Sequence, residues 1–269
     1  MSPGPHRIMR GDLGIAGQPG VVYAPGDGTN LPAIAFGHGW MTGVAGYHKL
    51  FEHLASWGFV VAAPDTERGP LPSHLNLAGD LLTTLDICTG VRLGIGDISV
   101  HPDKLALAGH GMGAGAAVLA AARRKVAAVA ALYPAPTAPS GEELAPKIDI
   151  PALILAGGAD VSTNNCNAVD LAAAWGGPVA LRTVDKATHN GIAEGRRALA
   201  ALGAAKYEYK TDRISRALLV GYLNYQLLGD KKYKDFADPE ASVPRTEAVD
   251  PHAPEDPEAE PVSAITPMQ

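Results

Sequence analysis

The residues in this sequence that could do chemistry gather where apolar runs end. The run LALAGHGMGAG (residues 105–115) leads into His110 and Gly111, PAIAFGHGW ends in His38, Gly39 and Trp40, and FVVAAPD ends in Asp65. Further along, VAAVAALYP ends near Tyr133, PALILAGGAD closes on Asp160, and His189 sits in ATHN. Imidazoles and carboxylates are the usual groups for moving protons, and a glycine turn entering a helix presents backbone N–H groups to developing negative charge. The turn at 109–113 has the spacing of G-x-S-x-G, which in one large enzyme class exposes a nucleophilic serine. Here the central residue is Gly111, which has no attacking group.

The elements that must position these residues follow from periodicity. Strands are predicted at PAIAFGHG from Pro32, FVVAAPD from Phe59, KLALAGH, VAAVAALYP, PALILAGGAD and Val179–Val184. Their apolar runs are continuous, as for strands covered on both faces. Between them lie helical patterns. One places Tyr47, Leu50, Phe51 and Leu54 on one face; a second spans about His74–Leu93 with Leu81, Leu85 and Cys88 together; a third runs Met112–Arg124. Two more are expected near Ala168–Trp175 and Asp212–Leu228, the last burying Ile214, Leu218, Gly221 and Tyr225. Alternating strands and helices predict an α/β fold, a mostly parallel sheet with helices on both faces. Ligands of such sheets bind outside the carboxyl ends of the strands, where the polar residues above fall.

Composition sets further limits. Apolar residues make up 46% of the 269 and charged residues 19%, a globular profile. The net charge is −6, but eight acidic residues and one basic residue lie from Asp238 onward, leaving residues 1–237 at about +1. A near-neutral body offers no footprint for nucleic acid. No long uncharged apolar run predicts a membrane span, and MSPGPHRIMRGDLG lacks a signal-peptide core, so the expected location is cytoplasmic. Cys88 and Cys166 are expected to be reduced thiols. The expected organisation is one domain over residues 1–236 and an acidic, proline-rich, disordered tail over 237–269.

Six segments in order resemble the α/β-hydrolase family: AFGHGWMTG, HLASWGFVVAAPDT, HPDKLALAGHGMGAGAAVLAAA, IPALILAGGAD, KATHNGIAEG and YLNYQLLGDKKYKDF. Within it the chain is similar to the cutinase-like polyester hydrolases and, less closely, to chlorophyllase and dienelactone hydrolase. The short loop before PALILAGGAD leaves no room for a cap domain. The resemblance assigns Asp160 as the acid, His189 as the base and the backbone N–H groups of Trp40 and Met112 as the oxyanion hole. It puts Gly111 at the nucleophile position. His110 and Tyr133 are candidate binding residues, with a packing or hydrogen-bonding role the alternative for His110 and core packing the alternative for Tyr133, and Ser162 and Thr42 are read as turn-capping hydroxyls. No cofactor or metal is implied; the expected partner is a small ester-like or aromatic ligand.

The elbow backbone is strained for any residue with a Cβ, at about 1–3 kcal/mol, and glycine relieves most of that. Loss of one triad member leaves roughly 10³–10⁴-fold catalysis over water. The expectation is a weak or inactive esterase in which His189 activates a water. Two alternatives stand beside it. One is a non-catalytic ligand-binding or scaffold relative. The other is a dinucleotide-binding oxidoreductase, because Gly109, Gly111 and Ala114 fit G-x-G-x-x-A at a helix N-terminus. Against the latter, the motif follows more than 100 residues of chain, and LYPAPTAP ends the next strand without an acid for a ribose.

Overall fold

The computed structural model of the chain describes residues 2–158, 166–194 and 206–253. Its described strands are β1 (Ile8–Asp12), β2 (Gly20–Pro25), β3 (Gly28–Gly37), β4 (Val60–Pro64), β5 (Ile98–His110), β6 (Ala128–Leu132), β7 (Ala152–Gly157), β8 (Val179–Val184) and β9 (Thr246–Ala248). They form one sheet in the order β1-β2-β4-β3-β5-β6-β7-β8-β9. The stretch from β4 to β8 is parallel, while β1 and β2 at one edge and β9 at the other run antiparallel to their neighbours. The described helices are α1 (His48–Ser56), α2 (His74–Gly90), α3 (Met112–Ala121), the short α4 (Gly141–Leu144), α5 (Ala168–Ala173) and α6 (Tyr209–Leu228). None is long and apolar enough to cross a membrane.

Strand side chains alternate between two apolar layers, as a period of two requires. Ala33, Ala35, Leu105 and Leu107 face the layer under α2, α3 and α5, with Leu77, Leu81, Leu85, Cys88, Val118 and Leu171. Ile34, Phe36, Ala106 and Ala108 face the layer under α1 and α6, with Leu50, Phe51, Leu54, Leu218 and Tyr222. This is the predicted α/β architecture, with every predicted strand present.

Three strands were not predicted. All five residues of β1 are exposed, so it carries no buried alternation to read. Strand β9 lies inside the stretch expected to be a solvated tail. Residues 237–253 instead fold onto the body, with Thr246, Glu247 and Ala248 paired to Val184, Thr183 and Arg182. The fully buried Arg182 guanidinium donates to the carbonyls of Asp235 (3.1 Å), Asp238 (2.7 Å) and Ala241 (2.9 Å). A segment held by its backbone carbonyls needs few apolar side chains, so hydropathy does not reveal it. The remainder of the expected tail, 254–269, lies outside the described residues. The buried face of α6 is also rotated from the expected one. Leu218 and Gly221 are buried, but Leu219, Tyr222 and Leu223 fill the core while Ile214 and Tyr225 are half-buried. Phe236, on a 3-10 turn, lies where a side chain on Gly221 would be and covers that flank of the helix.

Candidate active site

Strand β5 ends at His110 and α3 begins at Met112, with Gly111 between them at φ 55° and ψ −120°. An L side chain is strained there, and glycine is not. The backbone of Gly111 is fixed from both sides. Its N–H donates to Leu132 O at 3.0 Å, and its carbonyl accepts from Ala114 (3.1 Å), Gly115 (3.3 Å) and Ala135 (3.2 Å). The neighbouring glycines have a separate cause. A Cβ on Gly109 would overlap the Gly113 carbonyl, and one on Gly113 would overlap the Gly37 backbone. The glycines therefore let the first turn of α3 lie against β3 and β5. The dinucleotide reading needs them instead for a pyrophosphate's approach, and the space over Gly111 is taken.

What takes it is His189, on the loop after β8. A Cβ built on Gly111 would stand 2.9 Å from His189 Nε2, 3.5 Å from its Cε1 and 3.9 Å from Gly39 Cα. The imidazole and the loop after β3 thus converge on the spot where an elbow side chain would project. The His189 loop is anchored by Glu208, just before α6. Its carboxylate accepts from Thr188 Oγ1 (2.8 Å), Thr188 N (3.3 Å) and Thr211 Oγ1 (2.6 Å), and its own N–H donates to Gly191 O at 2.8 Å. Glu194 ties the same loop to α1, donating from its N–H to Gly46 O and accepting from Lys49 N, both at 2.8 Å.

A hydrogen-bonded hub joins these parts. Gly39 N–H donates to Tyr47 Oη at 2.9 Å, Tyr47 Oη lies 2.6 Å from His110 Nδ1, and His110 Nε2 lies 2.7 Å from the His189 carbonyl. A carbonyl only accepts, so His110 Nε2 carries a proton; in a neutral ring Nδ1 then accepts from the Tyr47 hydroxyl. The chain links the loop after β3, the end of β5 and the base loop. His110 and Tyr133, expected as binding or as packing residues, are both about 1% exposed and packed in the interior. Tyr133, at φ 48°, turns its ring toward α6, where its hydroxyl meets Ser215 Oγ at 2.8 Å. Its ring packs edge-on to His110.

Met112 is the first residue of α3, so its N–H has no intrahelical acceptor and lies at the positive end of the helix. Trp40 sits on a braced loop. His38 Nε2 bonds Thr66 O at 2.7 Å, Asp65 Oδ1 accepts from Val44 N at 3.0 Å, and Thr42 Oγ1 donates to Trp40 O at 3.1 Å. Thr42 is therefore the turn brace expected of it. The Trp40 indole donates to Pro70 O at 3.1 Å. Trp40, Met41 and Leu71 are exposed apolar side chains on the loops after β3 and β4. Asp160 and Ser162 lie outside the described residues.

Sequence reasoning missed two positioning residues. Tyr47 read only as one member of an apolar helical face, although a tyrosine in such a stripe signals a polar tip needing a partner. Glu208 gave no signal, because nothing local to it says that it faces Thr188.

A family model described as Chlorophyllase matches residues 12–149. The matched stretch takes in Trp40, His110, Gly111 and Met112 and ends before His189. No curated protein matches the chain.

Proposed function

Since the chain belongs to the chlorophyllase family, which is α/β-hydrolase-like, we propose that it carries the acyl-transfer site of a cutinase-like carboxylic ester hydrolase in which Gly111 replaces the attacking serine. Ester turnover in the native chain is weak, and the protein stands close to a pseudoenzyme. The observation that carries this reading is the 2.9 Å approach of His189 Nε2 to the Cβ site of Gly111, on a backbone at φ 55°. The histidine is aimed at the elbow position; a serine Cβ there requires the ring to retreat by a few tenths of an ångström, and its oxygen then lies within hydrogen-bond reach of Nε2.

The roles divide as follows. His189 is the proton-handling or attacking imidazole, and Asp160 is its orienting carboxylate by resemblance. The N–H groups of Met112 and Trp40 receive the oxyanion. The exposed Trp40 and Met41, on the loop after β3 that ends beside the Gly111 site, support an apolar, ester-like ligand. The test is Gly111→Ser. With 4-nitrophenyl acetate the variant gains at least about 10²-fold over the native chain, below the roughly 10⁶-fold that a well-built triad loses without its serine. A folded Gly111→Ser protein no faster than native contradicts the reading.

A further inference from the structure

The geometry points to the His189 imidazole as the attacking group in the native chain, and to esters with weakly basic leaving groups, namely aryl esters, enol esters and thioesters, as its substrate class. This rests on the ester-hydrolase reading of the same site and adds to it both the nucleophile and the substrate chemistry.

Three observations carry it. First, His189 Nε2 stands 2.9 Å from the Cβ site on Gly111, with no side chain of residue 111 in between. An acyl carbon brought over Gly111 therefore meets Nε2 directly. Second, a water there is not fixed as a bonded serine oxygen is. Its oxygen keeps about 3.3 Å or more from Gly111 Cα, whereas a serine oxygen is held through two covalent bonds. The nearby Gly39 Cα, 3.9 Å from the Cβ site, narrows that space further. Third, the imidazole is placed by its own loop. The His189 carbonyl is held by His110 and the preceding Thr188 by Glu208, so the ring needs no serine to position it.

The chemistry balances without a co-reactant other than water. The Nε2 lone pair forms a bond to the acyl carbon, and the carbonyl oxygen becomes an oxyanion at the backbone N–H groups. The carbon–oxygen or carbon–sulfur bond then breaks, and its electron pair leaves with the aryloxide, enolate or thiolate. The ring's other nitrogen releases its proton, giving a neutral acyl-imidazole. Water attacks this, the nitrogen–carbon bond breaks back to imidazole, and carboxylate and a proton are released. A ring that attacks cannot at the same moment protonate the leaving group, so the group must depart as an anion. A thiolate, from a thiol of pKa about 8.5, does so against an imidazole of about 6.5 far better than an alkoxide does. Alkyl esters are therefore excluded, where a serine–histidine pair would accept them.

The test mixes the native chain with excess 4-nitrophenyl acetate and follows 4-nitrophenolate release on the millisecond scale. Mass analysis of the quenched protein accompanies it. Expected are a burst of one 4-nitrophenolate per chain, a gain of one acetyl group mapped to residue 189, and no cleavage of ethyl acetate. His189→Gln, with its melting temperature checked against native, loses both burst and label. Gly111→Ala, whose methyl stands against Nε2, slows the burst. Steady hydrolysis without a burst, lost in His189→Gln and slowed in deuterium oxide, means that the imidazole acts as base on water; that overturns this inference and leaves the ester-hydrolase reading standing. A burst that survives His189→Gln also overturns it. A silent native chain with an active Gly111→Ser variant does the same. Silence in both proteins removes the underlying reading as well.

Discussion

A single methyl group at position 111 measures how firmly the elbow holds its shape. In Gly111→Ala the new Cβ sits on a backbone at φ 55° and ψ −120°, which costs about 1–3 kcal/mol for an L residue. It also meets His189 Nε2 at 2.9 Å, so the tip of the ring must retreat by a few tenths of an ångström. Against this, alanine restricts the unfolded chain and returns about 0.4–1 kcal/mol. The expected net loss is about 1–3 kcal/mol, or roughly 3–10 °C in melting temperature for a chain of this size. Gly79→Ala is the control. It lies within α2 with nothing within 4 Å of an added Cβ, so helix propensity predicts a gain of about 0.5–1 kcal/mol. Thermal and denaturant unfolding of the three proteins reads both signs. If Gly111→Ala is as stable as native while Gly79→Ala behaves as expected, the backbone at 111 is not held in the elbow conformation.

Tyr47→Phe takes the hydroxyl from both Gly39 N–H and His110 Nδ1; at about 1–3 kcal/mol for each buried group left unsatisfied, stability should fall by about 2–6 kcal/mol in denaturant unfolding, and an unchanged value would show that this hydroxyl does not hold the hub together. His53 on α1 is about 5% exposed, and burial, reinforced by the Arg216 guanidinium, pushes its pKa from 6.5 down to about 4. The unfolded chain then takes up a proton that the folded one refuses, so stability is full above about pH 6.5 and falls as pH drops toward 4, by about 3 kcal/mol. His53→Leu should lose less than native between pH 7.5 and 4.5; equal losses would show that His53 does not set the slope.

The central sheet was legible because strands covered on both faces must be apolar throughout, and FVVAAP and LALAGH are short apolar runs closed off by glycine or proline. The elbow was legible through its spacing, since only a tight strand-to-helix turn places glycines at 109, 111 and 113. Strand β9 and the segment that Arg182 holds were not, because backbone carbonyls supply their attachment and composition argues the other way. The rotated face of α6 depended on Phe236, eight residues past the end of the helix, which no helical period contains. His110 and Tyr133 were rightly placed at strand ends, but strand ends do not tell which side of the sheet a ring takes. Packing against Tyr47 and Ser215 decided that. Glu208 illustrates the same limit, for its role exists only once α6 has docked beside the His189 loop.

In the proposed site His189 faces residue 111 across the elbow between β5 and α3. The most direct measurement is covalent labelling of Gly111→Ser by a fluorophosphonate, read by intact mass and peptide mapping, beside the same variant carrying His189→Gln. One label per chain at position 111, lost or strongly slowed without the imidazole, is the expected result. A folded Gly111→Ser protein that stays unlabelled, or labels equally well without His189, would contradict the account.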